Sequence, residues 1–247
     1  MTSTSHTMHL RFIFLGFLHL AVSQSTISTS TGNGWATPQC VTCGSWELCG
    51  SQPATPTATG SQTASCSGST WSTKYSWSGD SETEVVLSRS SWGLQLSAVS
   101  SAPSTWDWSS TSGSGARVSV FYDIWLGTNS TGGAASSSSS HEVMIWLSAL
   151  GGIQPVKSLL TSGIELAGYS WDLWKLPWST YDTFTFVAAT SGSSITSFSA
   201  DLDYFFSSCS KFLISPWSVN SPCRIQNISS QMRELRPPNT SNPSGVV

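Results

Sequence analysis

Two short stretches hold the side chains whose types and spacing could do chemistry: "VSVFYDIWLG" from Val118 to Gly127 and "HEVMIWLSALGG" from His141 to Gly152. Each sets a carboxylate, Asp123 or Glu142, inside a run whose apolar alternation predicts a β-strand. Successive strand side chains point to opposite faces, so Val143, Ile145 and Leu147 share one face while Glu142, Met144 and Trp146 share the other. In the other stretch Val118, Val120, Tyr122, Ile124 and Leu126 stand opposite Arg117, Ser119, Phe121, Asp123 and Trp125. One face is core. The other, with carboxylates, Trp, Phe and Met, has the make-up of the floor of an open cleft. Such a floor suits a sugar chain, whose C–H patches stack on aromatic rings and whose hydroxyls take polar groups. The plainer reading makes Trp125 and Trp146 ordinary sheet aromatics with the carboxylates at strand ends.

The elements that must position these residues are strands. From Trp71 to Ala189 short Val-, Ile-, Thr- and aromatic-rich runs alternate with Gly, Ser, Asn and Pro clusters. Predicted strands are Ser72 to Trp77, Glu84 to Leu87, Leu94 to Val99, Thr105 to Trp108, Ala116 to Leu126, His141 to Leu147, Gly163 to Leu166, Tyr169 to Trp174 and Thr183 to Ala188. Turns at these intervals predict an all-β sandwich or barrel. The serine run Ser136 to Ser140 reads as a flexible connection. One helix is predicted, Ser199 to Ser207, with Ser199 as its N-cap and Asp201 and Asp203 in its first turn.

With 247 residues the chain is long enough for one sizeable domain. A formal charge of −3, with charged residues only 9% of the chain, supplies no basic field, which excludes nucleic acid as a partner and suits a neutral one. At the N-terminus a weakly basic stretch ending at Arg11 precedes an apolar run, Phe12 to Val22, and a small-residue pattern at Ala21 and Ser23. That pattern predicts a secretory signal peptide over residues 1–23, because the run falls short of the roughly 20 residues a membrane span needs. A secreted, extracellular protein with no membrane attachment after cleavage is the expectation, and six cysteines fit an oxidising compartment. Cys40 and Cys43 resemble half of a zinc site, but no second pair follows at metal spacing, which favours a disulfide such as Cys40 or Cys43 to Cys66. Asn129, Asn227 and Asn239 stand in glycan-acceptor tripeptides. No metal or organic cofactor is implied, and a monomer is expected.

"GLQLS" at Gly93, "APSTWDWSS" at Ala102, "VSVFYDIWLG" at Val118, "HEVMIWLSALGG" at His141, "LAGYSWDLW" at Leu166, "FTFVAATS" at Phe184 and "ITSFSADLDYFF" at Ile195 together resemble glycoside hydrolase family 12. The ordered match runs from about Trp71 to Phe206. The resemblance implies a β-jelly roll of two packed, curved antiparallel sheets whose concave face binds a β-1,4-linked glucan, either cellulose-like or xyloglucan. It implies endo-acting, retaining hydrolysis, with Glu142 as the nucleophile that forms a glycosyl-enzyme ester and Asp123 as the carboxyl that hydrogen-bonds and tunes it. His141 stands where the family has tyrosine. Met144 would pack under the site, and Trp125 and Trp146 would line it.

A retaining glycosidase also needs a second carboxyl roughly 5 Å from the first, to protonate the leaving oxygen and then deprotonate water. In the family that glutamate sits in a Gly-Thr-Glu-Pro-Phe segment on a late strand, which has no counterpart here. Beyond Phe206 the sole glutamate is Glu234, flanked by Arg233 and Arg236 and followed by Pro237 and Pro238, as in a solvated tail. Glu47, Glu82, Glu84 and Glu165 have no supporting motif, and "ELCG" at Glu47 replaces the family's Asn-Leu-Trp-Gly cleft motif. The expected organisation is thus an incomplete jelly-roll domain over 24–206 and an irregular tail over 207–247, as a frameshift, retained intron or faulty gene model would leave. Impaired turnover, a bare sheet edge and lowered stability follow from that expectation. A non-catalytic β-glucan-binding protein on the same cleft is the other function it allows.

Overall fold

The computed structural model describes residues 6–7, 10–11, 25–30, 38–51, 59–78, 81–110, 117–129, 132, 134, 136–155, 158–178, 180–189, 194–212, 224–236 and 244–246. The run Phe12 to Val22, Cys223 and Asn239 lie outside them. In chain order the first strands are β1 (His6–Thr7), β2 (Leu10–Arg11), β3 (Ser25–Ser30), β4 (Gln39–Cys43), β5 (Trp46–Ser51) and β6 (Thr59–Ser67). There follow β7 (Thr70–Ser78), β8 (Ser81–Gln95), β9 (Val99–Ser101), β10 (Pro103–Asp107), β11 (Val118–Gly127) and β12 (Ser139–Ala149). The rest are β13 (Ser158–Leu166), β14 (Tyr169–Pro177), β15 (Asp182–Ala188), β16 (Ser197–Asp201), β17 (Arg224–Arg236) and β18 (Ser244–Val246). The helix α1 (Asp203–Phe212) lies between β16 and β17, and no helix among the described residues is long and apolar enough to cross a membrane.

Nine strands form the main sheet in the order β13-β14-β15-β12-β11-β17-β8-β5-β4. Its neighbours are antiparallel except β12 and β15, which run parallel. Against one face lie the four-stranded sheet β18-β7-β6-β3, the strand group β16-β10-β2 and α1. Period-two alternation builds the core between these layers. Val118, Val120, Tyr122, Ile124 and Leu126 of β11 and Val143, Ile145 and Leu147 of β12 are almost wholly buried there, with Trp106, Phe198 and Phe205 from the opposing elements. Tyr122 ties the layers together, meeting Trp106 edge-on at 5.0 Å and sharing a 2.9 Å hydrogen bond with Ser104 Oγ. Two disulfides, Cys40–Cys49 and Cys43–Cys66, fasten β4 to β5 and to β6.

The chain beyond Phe206 departs from the expected irregular tail. Residues 224–236 form β17, whose backbone pairs with β11 on one side and β8 on the other. Ile225, Ile228 and Met232 enter the core, and Ser230 Oγ accepts the Trp71 indole N–H at 3.2 Å across it. The strand escapes sequence reading because its core face includes a serine and its other face is polar from Asn227 to Arg233, so apolar alternation is thin. No bare sheet edge is left at β11.

Three smaller expectations also change. Ser199 lies in β16 rather than at a helix N-cap; α1 starts at Asp203, whose N–H donates to Asp201 Oδ1 at 2.9 Å. The serine run is pinned rather than loose: Ser139 Oγ donates to Gln226 Oε1 at 3.1 Å, and Gln226 Nε2 donates to Ser138 Oγ at 2.8 Å and to Asn129 O at 3.2 Å. Gly127 and Gly132 make room for that glutamine, since a Cβ at either would collide with its amide. Finally, Asn227 is 7% exposed within β17, opposite Trp125, where an attached glycan has no space. Peptide mass spectrometry of the folded protein should therefore find Asn227 unmodified; a glycan there would mean that β17 is not in the sheet.

Candidate active site

The face of the main sheet turned away from the core carries the carboxylates. Glu142 is half-buried on β12 and Asp123, on neighbouring β11, is 5% exposed. Asp123 Oδ2 accepts the Trp125 indole N–H at 3.0 Å and the Gln231 amide at 2.8 Å, while its Oδ1 is buried without a hydrogen-bond partner. Glu142 Oε2 accepts the Thr183 hydroxyl at 2.5 Å from β15, with which β12 pairs Glu142 opposite Thr183. Across β17, Arg233 donates through Nε and a terminal nitrogen to Glu84 Oε1 at 3.2 and 2.9 Å. The same guanidinium lies 5.7 Å from the Phe121 ring centre.

Burial dominates the ionisation of this group, because a carboxylate without water is penalised as a charge. It raises Asp123 well above the ordinary carboxylate range, the Glu142 and Glu84 charges add to that, and the Trp125 hydrogen bond and Arg233 work against it. Glu142 is raised too, by burial above all; the Thr183 hydroxyl and then Arg233 lower it, the Glu84 charge adds to the rise, and the neighbouring Asp123 carboxyl lowers it slightly. Burial likewise raises the Tyr181 phenol, with added repulsion from Glu142 and Asp123. The arrangement is a carboxylate held by a hydroxyl beside a second carboxyl that tends to keep its proton, as an oriented nucleophile requires.

A sign follows for stability. A carboxyl whose pKa is higher folded than unfolded stabilises the fold where it is protonated; this is complete below about pH 4 and is lost as pH rises through the folded value. His141, lowered by burial, acts in the opposite sense near neutrality, and Asp201, lowered by its hydrogen bonds, is fully ionised above the acid range. Comparing variant with parent isolates the carboxyl. Asp123→Asn should gain in melting temperature on the parent as pH rises above about 4, the ordinary carboxylate range, because only the parent loses the stabilisation of the protonated carboxyl. Parallel melting curves at all pH values would refute a raised Asp123.

Of the residues singled out in the sequence, Glu142, Asp123, Trp125, Met144 and Trp146 all lie on this face. Met144 and Trp146 pack with Phe121 and Ile153 in a small apolar cluster. The Trp125 and Trp146 rings are each only 5% exposed, and Trp125 meets Tyr181 edge-on at 5.0 Å. Among the described residues, the ring with open surface at this end is Trp178, 53% exposed in the turn before β15. Sequence reading missed Trp178, Tyr181, Thr183, Glu84, Gln231 and Arg233. The alternation of Thr183 and Thr185 with Phe184 and Phe186 could have flagged Thr183; the others depend on pairings distant in sequence.

Glu234 pairs in register with Val118, on the core phase of β11 rather than the phase of Asp123. On the cleft-side phase β17 offers Ser229, Gln231 and Arg233 beside Asp123. The "ELCG" stretch lies in β5, where Cys49 is joined to Cys40. That disulfide also uses up two members of the one close cluster of metal-ligand types among the described residues, Cys40, Glu47 and Cys49, leaving a lone carboxylate.

Comparisons with known proteins bear on the fold and the family. The chain is 38% identical over 156 residues to xyloglucan-specific endo-beta-1,4-glucanase A of Aspergillus niger, a match spanning 60% of each protein. To the enzyme of the same name from Aspergillus aculeatus it is 36% identical over 209 residues, 81% of this chain and 82% of that one. Among solved structures, Trichoderma harzianum endoglucanase 3 superposes with a TM-score of 0.63 at 21% identity, covering 90% of this chain and 94% of that one. A family 12 xyloglucanase from Bacillus licheniformis gives 0.63 at 14% identity, covering 90% and 96%. The model of Glycosyl hydrolase family 12 matches residues 40–216, more than half of the sequence, and the chain belongs to that family.

Proposed function

We propose that the protein is a secreted endo-acting β-1,4-glucan hydrolase working by retention, with Glu142 as nucleophile, Asp123 as the carboxyl that tunes it, and Trp125, Met144 and Trp146 supporting the sugar site. The observation that carries this reading is the half-buried Glu142 carboxylate, held by Thr183 on the cleft face beside a carboxyl raised by burial. In the mechanism, Glu142 attacks the anomeric carbon as the glycosidic C–O bond breaks and the leaving oxygen takes a proton from solvent; water then attacks the same carbon, gives its proton back to solvent and breaks the ester bond, which releases the sugar and restores the Glu142 carboxylate. The Aspergillus relatives are named for xyloglucan and the Trichoderma neighbour as an endoglucanase, so xyloglucan and carboxymethyl-cellulose are the substrates to compare. New reducing ends from either polymer, with a fall in viscosity early in the reaction, would support endo hydrolysis. A folded protein that releases none would refute it.

A binding-only reading has one observation in its favour. Glu84, a third carboxyl on the same face, is taken up by Arg233 in a two-nitrogen ion pair, so among the described residues this face offers no free second carboxyl beside Glu142 and Asp123. Saturable oligosaccharide binding without turnover would establish that second reading.

A further inference from the structure

The turn between β14 and β15 links an exposed ring to the proposed nucleophile by two hydrogen bonds. Trp178 N–H on the backbone closes the turn onto Tyr181 O at 2.9 Å. The Trp178 indole Nε1–H donates to Thr183 Oγ1 at 3.0 Å, and the Thr183 hydroxyl donates to Glu142 Oε2. A hydroxyl has one proton and a free rotor. Because the indole can only donate, it occupies the acceptor side of Thr183 Oγ1 and leaves the proton pointing at Glu142. Thr183 is 5% exposed while the Trp178 ring is 53% exposed and tilted against Tyr181 at 6.0 Å.

The geometry points to Trp178 and Thr183 as a positioning relay, in which the exposed ring takes a sugar face and its indole N–H fixes the Thr183 hydroxyl that orients Glu142. The relay rests on Glu142 being the nucleophile of the proposed function. It also ties specificity to reactivity: a glucan seated on Trp178 restrains the indole, and with it the hydrogen bond that aims the carboxylate. A branch on the sugar that lifts it from the ring loses both. Thr183, 5% exposed, would act on the sugar only through Glu142 and so is a positioning residue, whereas Trp178 both binds and positions.

The test separates the two roles. The Glu142 carboxyl carbon is followed by NMR titration of protein carrying ¹³C-labelled glutamate, assigned by its loss in Glu142→Gln, which requires no turnover. The groups that face Glu142 are Asp123 on β11, Glu84 on β8, Arg233 on β17 and Tyr181 ahead of β15, all unchanged in these variants. Removing a donor from a carboxylate disfavours its charged form, so Thr183→Val should move the titration up by roughly one pH unit. Thr183→Ser should restore the parent value, and Trp178→Phe should give part of the upward move. Calorimetry with cellotetraose and a xyloglucan oligosaccharide should show Trp178→Ala binding about tenfold more weakly and Trp178→Phe within a few-fold of the parent. A Thr183→Val titration identical to the parent would overturn the positioning role; should that variant fail to fold, an unmoved Trp178→Phe titration would overturn it instead. Equal sugar affinity in Trp178→Ala would overturn the platform. A parent that binds neither sugar would sink the proposed function together with the platform, while the titration would still decide what orients Glu142.

Discussion

Glu142→Gln should reduce reducing-end release from xyloglucan by on the order of 10⁵-fold, the scale on which removing a covalent nucleophile acts in other hydrolases. Glutamine keeps the size and can still accept the Thr183 hydroxyl hydrogen bond through its carbonyl oxygen, so the loss would report chemistry rather than folding. The neutral amide cannot form the glycosyl ester. Sugar affinity should stay within a few-fold of the parent, and the melting temperature should rise or hold, because a half-buried carboxyl raised by burial is being replaced by a neutral group. Initial rates and oligosaccharide calorimetry on the same preparation check both halves. A variant with more than about one-hundredth of the parent rate would remove Glu142 from the nucleophile role.

Ending the chain after Phe212 should abolish cooperative folding. Such a chain lacks β17, and the loss falls at the centre of the main sheet rather than at its rim. Ile225, Ile228 and Met232 leave the core, and large-to-small changes at such sites cost roughly 2–5 kcal/mol each. Their sum reaches the total stability of about 5–15 kcal/mol expected of a domain before any backbone pairing is counted. Both ladders, to β11 and to β8, also lose their partners, leaving two internal edges with unpaired N–H and C=O groups. Circular dichroism melting of the truncated and full chains checks this. A truncated chain that melts cooperatively within a few degrees of the parent would show that β17 is dispensable. Met232→Ala is the milder companion, expected to cost about 2–5 kcal/mol while leaving the protein folded.

The two predictions test opposite kinds of information. That Glu142 and Asp123 share a face with Met144, Trp146 and Trp125 follows from period-two alternation, which depends only on each strand's own residues. The core face of β11 and β12 was legible for the same reason, because hydrophobic burial fixes which side of a strand turns inward. Helix α1 was legible in kind but not in its limits: Ser199 and Asp201 could cap or extend, and pairing with β10 drew them into β16.

What the tertiary structure alone decided is what surrounds the carboxylates. Thr183 meets Glu142 because β15 lies parallel to β12, a register to which no local pattern points. The Arg233–Glu84 pair joins two strands far apart in the chain, so neither residue advertised a partner. Strand β17 is the plainest case. Its residues are polar enough to read as a tail, yet they fill the sheet because Ser230, Gln226 and Gln231 find their hydrogen bonds only in the assembled fold. Sequence determined which side chains turn toward the core and which toward the cleft, since that is a property of one strand; the structure decided which strands adjoin, and hence the ionisation and aim of Glu142, since those are properties of neighbours.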